Sequence, residues 1–265
     1  MSWANNHDAS IEKLRRVQGS LTVELIMVPR GDFLTCAPSE TAAQVKQRNT
    51  NDFSFIPVKD DKGRIVGLHN AERWFNVDAP EVLIADDFTP LSEDFLIGAT
   101  ASIFDFLRQA DTHPTNLVIA GTEIAGLVTL SDIQDLPVRA ALFALVTSFE
   151  MAMGLSIRRR WPEPQGWMTF LSEGRRTKLV EAIKAAKDRN AFVDELVLTQ
   201  FCDKGDIIRK AKLLPEVTDL QSRIEAMQNL RNNLAHAAQY AETPEQAKKV
   251  CVIVRDILML IFTQN

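Results

Sequence analysis

Two short runs in this chain combine residue types that handle phosphate and sugar. The first is Arg231-Asn232-Asn233-Leu234-Ala235-His236. A histidine titrates near neutrality and can move a proton. An arginine offers a planar fork of donors that stabilises a crowded phosphate, and Asn232 can orient either group. On an ideal helix Asn232 and His236 share a face, while Arg231 is rotated about 140° from His236. One straight helix therefore does not make Arg231 and His236 converge. The second run is Thr129-Leu130-Ser131-Asp132, at an expected helix start. Free backbone N–H groups there bind phosphate. A hydroxyl can touch phosphate or sugar, and a carboxylate one turn in can accept both ribose hydroxyls. The same pair also makes an ordinary capping box, with Thr129 as N-cap.

The elements that must position these runs fall into two halves. The N-terminal half carries a weak internal repeat. Its first copy spans about Phe33 to Trp74: a helix from Ser39, a strand Phe53–Val58, a polar turn at Lys59–Gly63 and a strand Arg64–Leu68. A short helix begins near Asn70. The second copy spans about Asp94 to Leu136: a helix capped by Thr100, strands Asn116–Ile119 and Glu123–Val128, and a helix starting at Thr129. Gly67 and Gly126 fall at matching places. The turn chemistry predicts a hairpin in each copy.

The segments Ser54–Val58 with Lys62–Gly67, and Gly126-Leu127-Val128-Thr129-Leu130-Ser131-Asp132-Ile133, resemble the CBS motif over roughly Leu21 to Ser148. The resemblance implies a pair of motifs packed through their sheets and a cleft for an adenosine-containing ligand. It assigns Thr129 and Asp132 to phosphate and ribose, and Thr35, Phe53, Ser54 and Phe55 to the wall that contacts the base. In the first copy Asn70 and Arg73 stand where Thr129 and Asp132 stand in the second. The ribose acceptor is missing there, so one competent cleft per chain is expected. Arg73 would favour a more anionic ligand.

The C-terminal half reads as helices alone. The apolar stretch Pro137–Met153 is expected to connect the domains or pack on a partner, and Gly154, Arg158-Arg159-Arg160, Pro162 and Pro164 place a boundary after it. Helices are expected at Lys178–Lys187, Asp194–Phe201 and Asp206–Leu213. A long one is expected at Asp219–Ala238, with Leu220, Ile224, Met227, Leu230 and Leu234 on one stripe. Thr243 as N-cap, Pro244 at the first helical position and Gln246 in a capping box start another that runs to about Phe262. A four-helix bundle is the natural assembly.

Arg231, the polar Asn232 and His236 within such a bundle resemble the motif of the HEPN family, over about Trp167 to Thr263. That resemblance implies a metal-independent endoribonuclease whose two subunits join their motifs in one composite site, with Arg231, Asn232 and His236 catalytic. A second match to the same short pattern, Arg108 to His113, lies inside the CBS-like repeat and is read as accidental. Arg158–Arg160 with Trp161 and Trp167 are a candidate RNA-facing patch. Arg175 and Arg176 are candidate phosphate contacts, and Tyr240 is expected to join the site or to pack.

Charge divides along the same line. Residues 1–150 hold 12 Lys+Arg against 21 Asp+Glu, and residues 151–265 hold 18 against 14. The basic half suits a polyanion. Three separated cysteines suit reduced thiols in a cytoplasm. No Cys/His cluster has zinc spacing, and no phosphate-binding P-loop, dinucleotide fingerprint or serine-hydrolase elbow is present. The start of the chain is polar, unlike a signal peptide. The apolar run Val250–Phe262 is interrupted by Arg255 and Asp256 and reads as a buried helix, so no membrane partner is expected. The fold class expected is α+β: a tandem CBS pair over residues 1–153 and an all-α HEPN-like bundle over 154–265. The expected function is a cytoplasmic, homodimeric endoribonuclease that cuts RNA without a metal and is regulated by AMP, ADP or ATP. The competing reading is a helical module that binds RNA or protein without cutting it, under the same nucleotide control.

Overall fold

A computed structural model describes residues 12, 14, 16–78, 80–190, 194–214, 217–236 and 238–263. The chain forms two compact units. Leu21–Asp135 make one; Leu136–Asn265 together with Met1–Ser20 make the other.

The first unit is a duplicated sheet-and-helix module. In the first repeat, Thr41 caps helix α1 (Ala42–Arg48) through a capping box with Gln44. Strands β2 (Phe55–Lys59) and β3 (Ile65–Asn70) form a hairpin, turned by Gly63 at a φ of 78°. In the second repeat, Ser102 caps a short helix (Ile103–Leu107), and strands Thr115–Ala120 and Glu123–Thr129 form the matching hairpin, turned by Gly121 at a φ of 63°. The helices begin three residues after Ser39 and Thr100, and their caps lie two residues after them. The side chains that accept the first free N–H groups belong to Thr41 and Ser102.

Each repeat lends a strand to the other. The short strand β1 (Val28–Pro29) precedes the first repeat but pairs with the last strand of the second, Val28 opposite Leu127 and Pro29 opposite Gly126. Strand β4 (Thr89–Pro90) follows the first repeat and pairs with β3, Thr89 opposite Leu68 and Pro90 opposite Gly67. Proline at these places is cheap, because each strand is a two-residue sheet edge. Both hairpins carry a register shift immediately after the residue facing the matched glycine, Val58 in one and Val118 in the other. The matched glycines therefore have a cause. A Cβ on Gly67 would lie 2.2 Å from the Thr89 carbonyl oxygen, and one on Gly126 would lie 2.6 Å from Met27 Sδ and 2.9 Å from the Val28 carbonyl oxygen.

With β5 (Leu96–Gly98), β6 (Thr115–Ala120) and β7 (Glu123–Thr129), the sheets are β1-β7-β6-β5 and β2-β3-β4. Ile65, Leu68, Leu117 and Leu127 form one buried cluster between them, joined by Ile124. Ile65 and Leu68 are the repeat equivalents of Ile124 and Leu127, so the two halves meet through like residues. A separate core holds α1 on its own sheet through Ala42, Val45, Ile56, Val58 and Ile84.

The second unit is helical in its described residues. Counting the first unit's helices as α1 (Ala42–Arg48), α2 (Ile84–Asp87) and α3 (Ile103–Leu107), it contains α4 (Leu136–Arg160), α5 (Pro164–Met168), α6 (Glu173–Asp188), α7 (Phe201–Lys210), α8 (Leu220–Ala235) and α9 (Pro244–Thr263). Helices α4, α7, α8 and α9 pack as a four-helix bundle, with α4 touching the other three. This moves the division of the chain. The sequence reading puts α4 with the first domain and a boundary after Met153. The contacts divide the chain between Asp135 and Leu136 instead. The reason is burial: Val138, Leu142, Leu145, Val146, Phe149 and Met153 of α4 are all fully covered. α4 is also long and apolar enough to cross a membrane by length and composition, with a mean hydropathy of 1.7. Here it is the core helix of the bundle.

Two further helical expectations shift. Asp194–Gln200 is a series of turns, and α7 starts only at Phe201, where the Gln200 and Asp203 side chains cap it reciprocally. α8 ends at Ala235, three residues before the expected Ala238. The Thr243 and Gln246 capping box of α9 forms as read from the sequence, with two 3.3 Å hydrogen bonds.

Candidate functional site

In the duplicated unit, Thr129 closes β7 and opens a 3-10 turn, Leu130–Gln134. This turn is only five residues long, so it lacks the summed peptide dipoles of a full helix. The Thr129 N–H donates to Asp132 Oδ2 at 2.6 Å, and its hydroxyl donates to the same oxygen at 3.1 Å. The hydroxyl also lies 2.8 Å from Ser131 Oγ. The capping box is thus formed, and the carboxylate assigned to ribose is held by Thr129. Burial pushes the Asp132 carboxyl up to about 6, against the pull of the Thr129 hydrogen bonds.

That shift has a sign. The folded unit holds a proton on Asp132 between about pH 4 and 6, where the unfolded chain has released it, so stability falls as pH rises through that window. Wild-type protein is expected to lose about 2 kcal/mol between about pH 4 and pH 6.5 relative to Asp132→Asn. Parallel urea titrations of the two proteins across that range check it; equal pH dependence would refute a buried, reluctant carboxylate.

The expected base wall lies on the other sheet. Thr35 is half-buried beside the Cys36–Val58 bridge, and its carbonyl accepts from Arg48 at 3.2 Å. Phe53 is 45% exposed, and its backbone is clasped by the Asn49 side chain through two 2.9 Å hydrogen bonds. The Ser54 carbonyl accepts from the N–H groups of Ala71 and Glu72, and Phe55 pairs with Asn70. Among the described residues no hydrogen bond joins this group to Thr129 or Asp132. In the first repeat, Arg73 pairs with Asp87 at 3.2 Å and stays half-exposed, beside the fully buried His69. Desolvation lowers the proton affinity of His69 against the opposing pull of Asp87.

In the helical unit, the stripe Leu220, Ile224, Met227, Leu230 and Leu234 is buried, as the sequence predicts. Arg231 and Asn232 flank it, half-buried, with the Arg231 guanidinium 3.4 Å from Asn232 Oδ1. Arg231 makes no ion pair among the described residues. His236 is exposed and stands at the C-cap of α8, where its N–H donates to the Asn232 and Leu234 carbonyls. Arg231 and Asn232 are therefore brought together, and His236 follows one turn on at the end of the helix.

The residue that sequence reasoning missed is Arg139, in the first turns of α4. Its guanidinium donates to the carbonyls of Asn233 and Leu234 at 3.4 Å and of Ala238 at 2.8 Å. It also lies 4.9 Å from the centre of the buried Tyr240 ring. A cation on the orphan carbonyls of a helix C-terminus is favourable twice, by hydrogen bonding and by the dipole. The signal was present: Arg139 is the one charged residue from Leu136 to Phe149. Arg139→Ala is expected to cost about 1–3 kcal/mol. It should raise hydrogen exchange at residues 233–240; unchanged exchange there would remove its clamping role.

The fold draws part of the proposed RNA-facing patch into its own contacts and leaves Arg159 and Arg160 exposed. Trp167 is buried, Trp161 packs on Phe170 with Arg160 over it, Arg158 pairs with Asp194, and Arg175 pairs with Asp203. Arg108, in the accidental second motif, pairs with Asp105 at 3.0 Å. Among the described residues no three His, Cys, Asp or Glu side chains gather as a metal would need.

No protein-family model matches the chain, and no curated protein matches it. Among solved structures it is similar to the CBS domain of the bacterial CNNM/CorC family Mg2+ transporter in complex with ATP, at 20% identity over 50% of this chain and 94% of that one, with a TM-score of 0.38. It is similar to a hemolysin-like protein containing a CBS domain from Oenococcus oeni PSU, at 17% identity over 47% and 95%, with a TM-score of 0.38. It is also similar to CBSX2 in complex with AMP, at 20% identity over 46% and 96%, with a TM-score of 0.38.

Proposed function

We propose that this protein is an endoribonuclease that needs no metal and is controlled by an adenine nucleotide. The observation that carries the reading is the division of labour on α8. Five side chains of that helix fill the core, while Arg231, Asn232 and His236 stay at its accessible flank and end. His236 would take the proton from an RNA 2′-hydroxyl. The 2′-oxygen then forms a bond to phosphorus, the bond to the 5′-oxygen breaks, that oxygen takes a proton from water, and the products are a 2′,3′-cyclic phosphate and a 5′-hydroxyl, with the proton on His236 released to solvent. Arg231 would stabilise the extra negative charge on the five-coordinate phosphorus. The angular offset between the two residues calls for two copies of the motif around one phosphate.

The duplicated unit supplies the sensor in this reading. AMP, ADP or ATP would exchange the Thr129–Asp132 hydrogen bonds for bonds to the ligand's ribose and phosphate, with Thr35 and Phe53–Phe55 along the base. Control of cleavage requires only that the ligand prefer one arrangement of the protein. The second reading, a helical module that binds RNA or protein without cutting it, holds if one chain acts alone, since His236 stands past the last residue of α8 and no hydrogen bond among the described residues joins it to Arg231.

The test is cleavage of a single-stranded RNA in EDTA, with and without each nucleotide, by wild type, Arg231→Ala and His236→Ala. Cleavage that both substitutions remove supports the enzyme. Retained RNA binding with no cleavage by wild type under any nucleotide would replace it with the second reading. Absence of any nucleotide-dependent rise in melting temperature would sink the sensor.

A further inference from the structure

Helices α8 and α9 border an open groove of about 440 Å3. Ala226, Leu230, Val252 and Ile253 give it an apolar floor, and Val252 is 44% exposed. Asn229 and Asn233 line it from α8, one turn apart. Asn229 is exposed and Asn233 half-buried, and neither carboxamide makes a hydrogen bond among the described residues. Lys249 lines the groove from α9, exposed and without an ion pair among the described residues. Toward the start of α8, Arg223 and Asp256 pair with each other and are satisfied within the chain. A concave, mostly apolar site with a few polar groups at its edge is the usual form of a small-ligand pocket.

We propose that this groove holds an unpaired adenine of an RNA strand, the base of the nucleotide whose 2′-hydroxyl faces His236. The inference rests on the endoribonuclease reading above and adds base selectivity to it. Position is the first argument. Asn229, Asn233 and His236 follow at i, i+4 and i+7, so one face of α8 leads from the groove to the histidine. The step from Asn233 to His236 is about 4.5 Å along the axis, on the order of one nucleoside. Arg231 lies about 180° round the helix from the line between the two asparagines. The groove is therefore separate from the phosphate contact assigned to Arg231. Chemistry is the second argument. A carboxamide sets a donor beside an acceptor, which matches the N6 amino group and N7 of adenine, whereas guanine offers two acceptors at that edge. The apolar floor takes the face of the ring, and a purine covers more of it than a pyrimidine does. Lys249 supplies a cation for a flanking phosphate.

Binding of 2′-O-methyl hexanucleotides tests this without cleavage, since they lack the 2′-hydroxyl that the reaction needs. The probes are uridine throughout except for A, G, C or U at one central position. Fluorescence anisotropy with the full chain measures their affinities. The adenine probe is expected to bind at least about tenfold more tightly than the other three. The double variant Asn229→Asp/Asn233→Asp replaces both amide donors with acceptors and should remove most of that preference. Preference is the readout, because added carboxylates weaken all RNA binding alike. Val252→Trp, at an exposed position of the floor, fills the groove without touching either asparagine and should remove the preference too. An excess of AMP should leave the wild-type preference in place. A wild type that binds all four probes equally or none, a folded variant of either kind that keeps the preference, or loss of the preference to AMP, which would assign the groove to a free nucleotide, would each overturn the proposal. Adenine-selective binding by a protein that cuts no RNA would leave the groove standing and remove the enzyme reading alone. Cleavage with no base preference would do the reverse.

Discussion

Gly67→Ala is expected to destabilise the duplicated unit by about 3 kcal/mol or more, and Gly126→Ala by about half as much. The difference comes from what each new Cβ meets. At Gly67 the nearest atom is the Thr89 carbonyl oxygen at 2.2 Å, and the Phe88 ring follows at 2.5 Å. A backbone carbonyl in a paired strand cannot step aside. Strand β4 must move away, and its hydrogen bonds to β3 go with it. At Gly126 the nearest atom is Met27 Sδ at 2.6 Å, on a flexible side chain that can turn, although the Val28 carbonyl oxygen at 2.9 Å still resists. Two causes can be separated here. Neither glycine has a positive φ, so a substitution adds a collision without any left-handed backbone strain. Urea unfolding followed by circular dichroism ranks the two variants. A Gly67→Ala protein as stable as wild type, or the reverse order of cost, would contradict the exchange of strands between repeats.

His236→Ala is expected to lower RNA cleavage by about two to four orders of magnitude, the range that a positioned general base contributes. The same substitution should leave the melting temperature nearly unchanged. His236 is exposed, follows the last helical residue and keeps its place through backbone N–H donation, which alanine retains. That contrast separates a chemical role from a structural one. Arg231→Lys is the companion measurement: a lysine keeps the charge but not the planar fork, so cleavage should fall further than RNA affinity. Cleavage that survives His236→Ala at the wild-type rate would remove His236 from the chemistry, and a large loss of stability would recast it as part of the helix end.

Local patterns made much of this protein legible. The stripe on α8 and the Thr243-Pro244-Gln246 start of α9 were readable because a helix's period and its caps depend on residues three or four apart. The hairpins were readable from their glycine turns, and the matched Gly67 and Gly126 from the repeat itself. The sequence did not reveal why those glycines match, since their partners are strands β4 and β1, which lie at least twenty-two residues away along the chain. It misplaced α4 for a similar reason. That helix is apolar almost all round, so its pattern says that it is buried without saying against what.

At the candidate sites the same division holds. Residue types and spacing singled out Thr129 with Asp132, and Arg231 with Asn232 and His236. Both are short-range relations that the chain's own periodicity carries. Folding decided the rest. It turned an expected helix start into a five-residue turn whose carboxylate is already bonded, paired Arg158 with Asp194 and Arg175 with Asp203, buried Trp167, and brought Arg139 across from α4 onto the end of α8. Amino-acid sequence determined the elements and the chemistry available on them. Tertiary structure decided which of those groups remain uncommitted, because hydrogen bonds and burial are satisfied between residues far apart in the chain, and only a side chain left over from that pairing is open to a ligand.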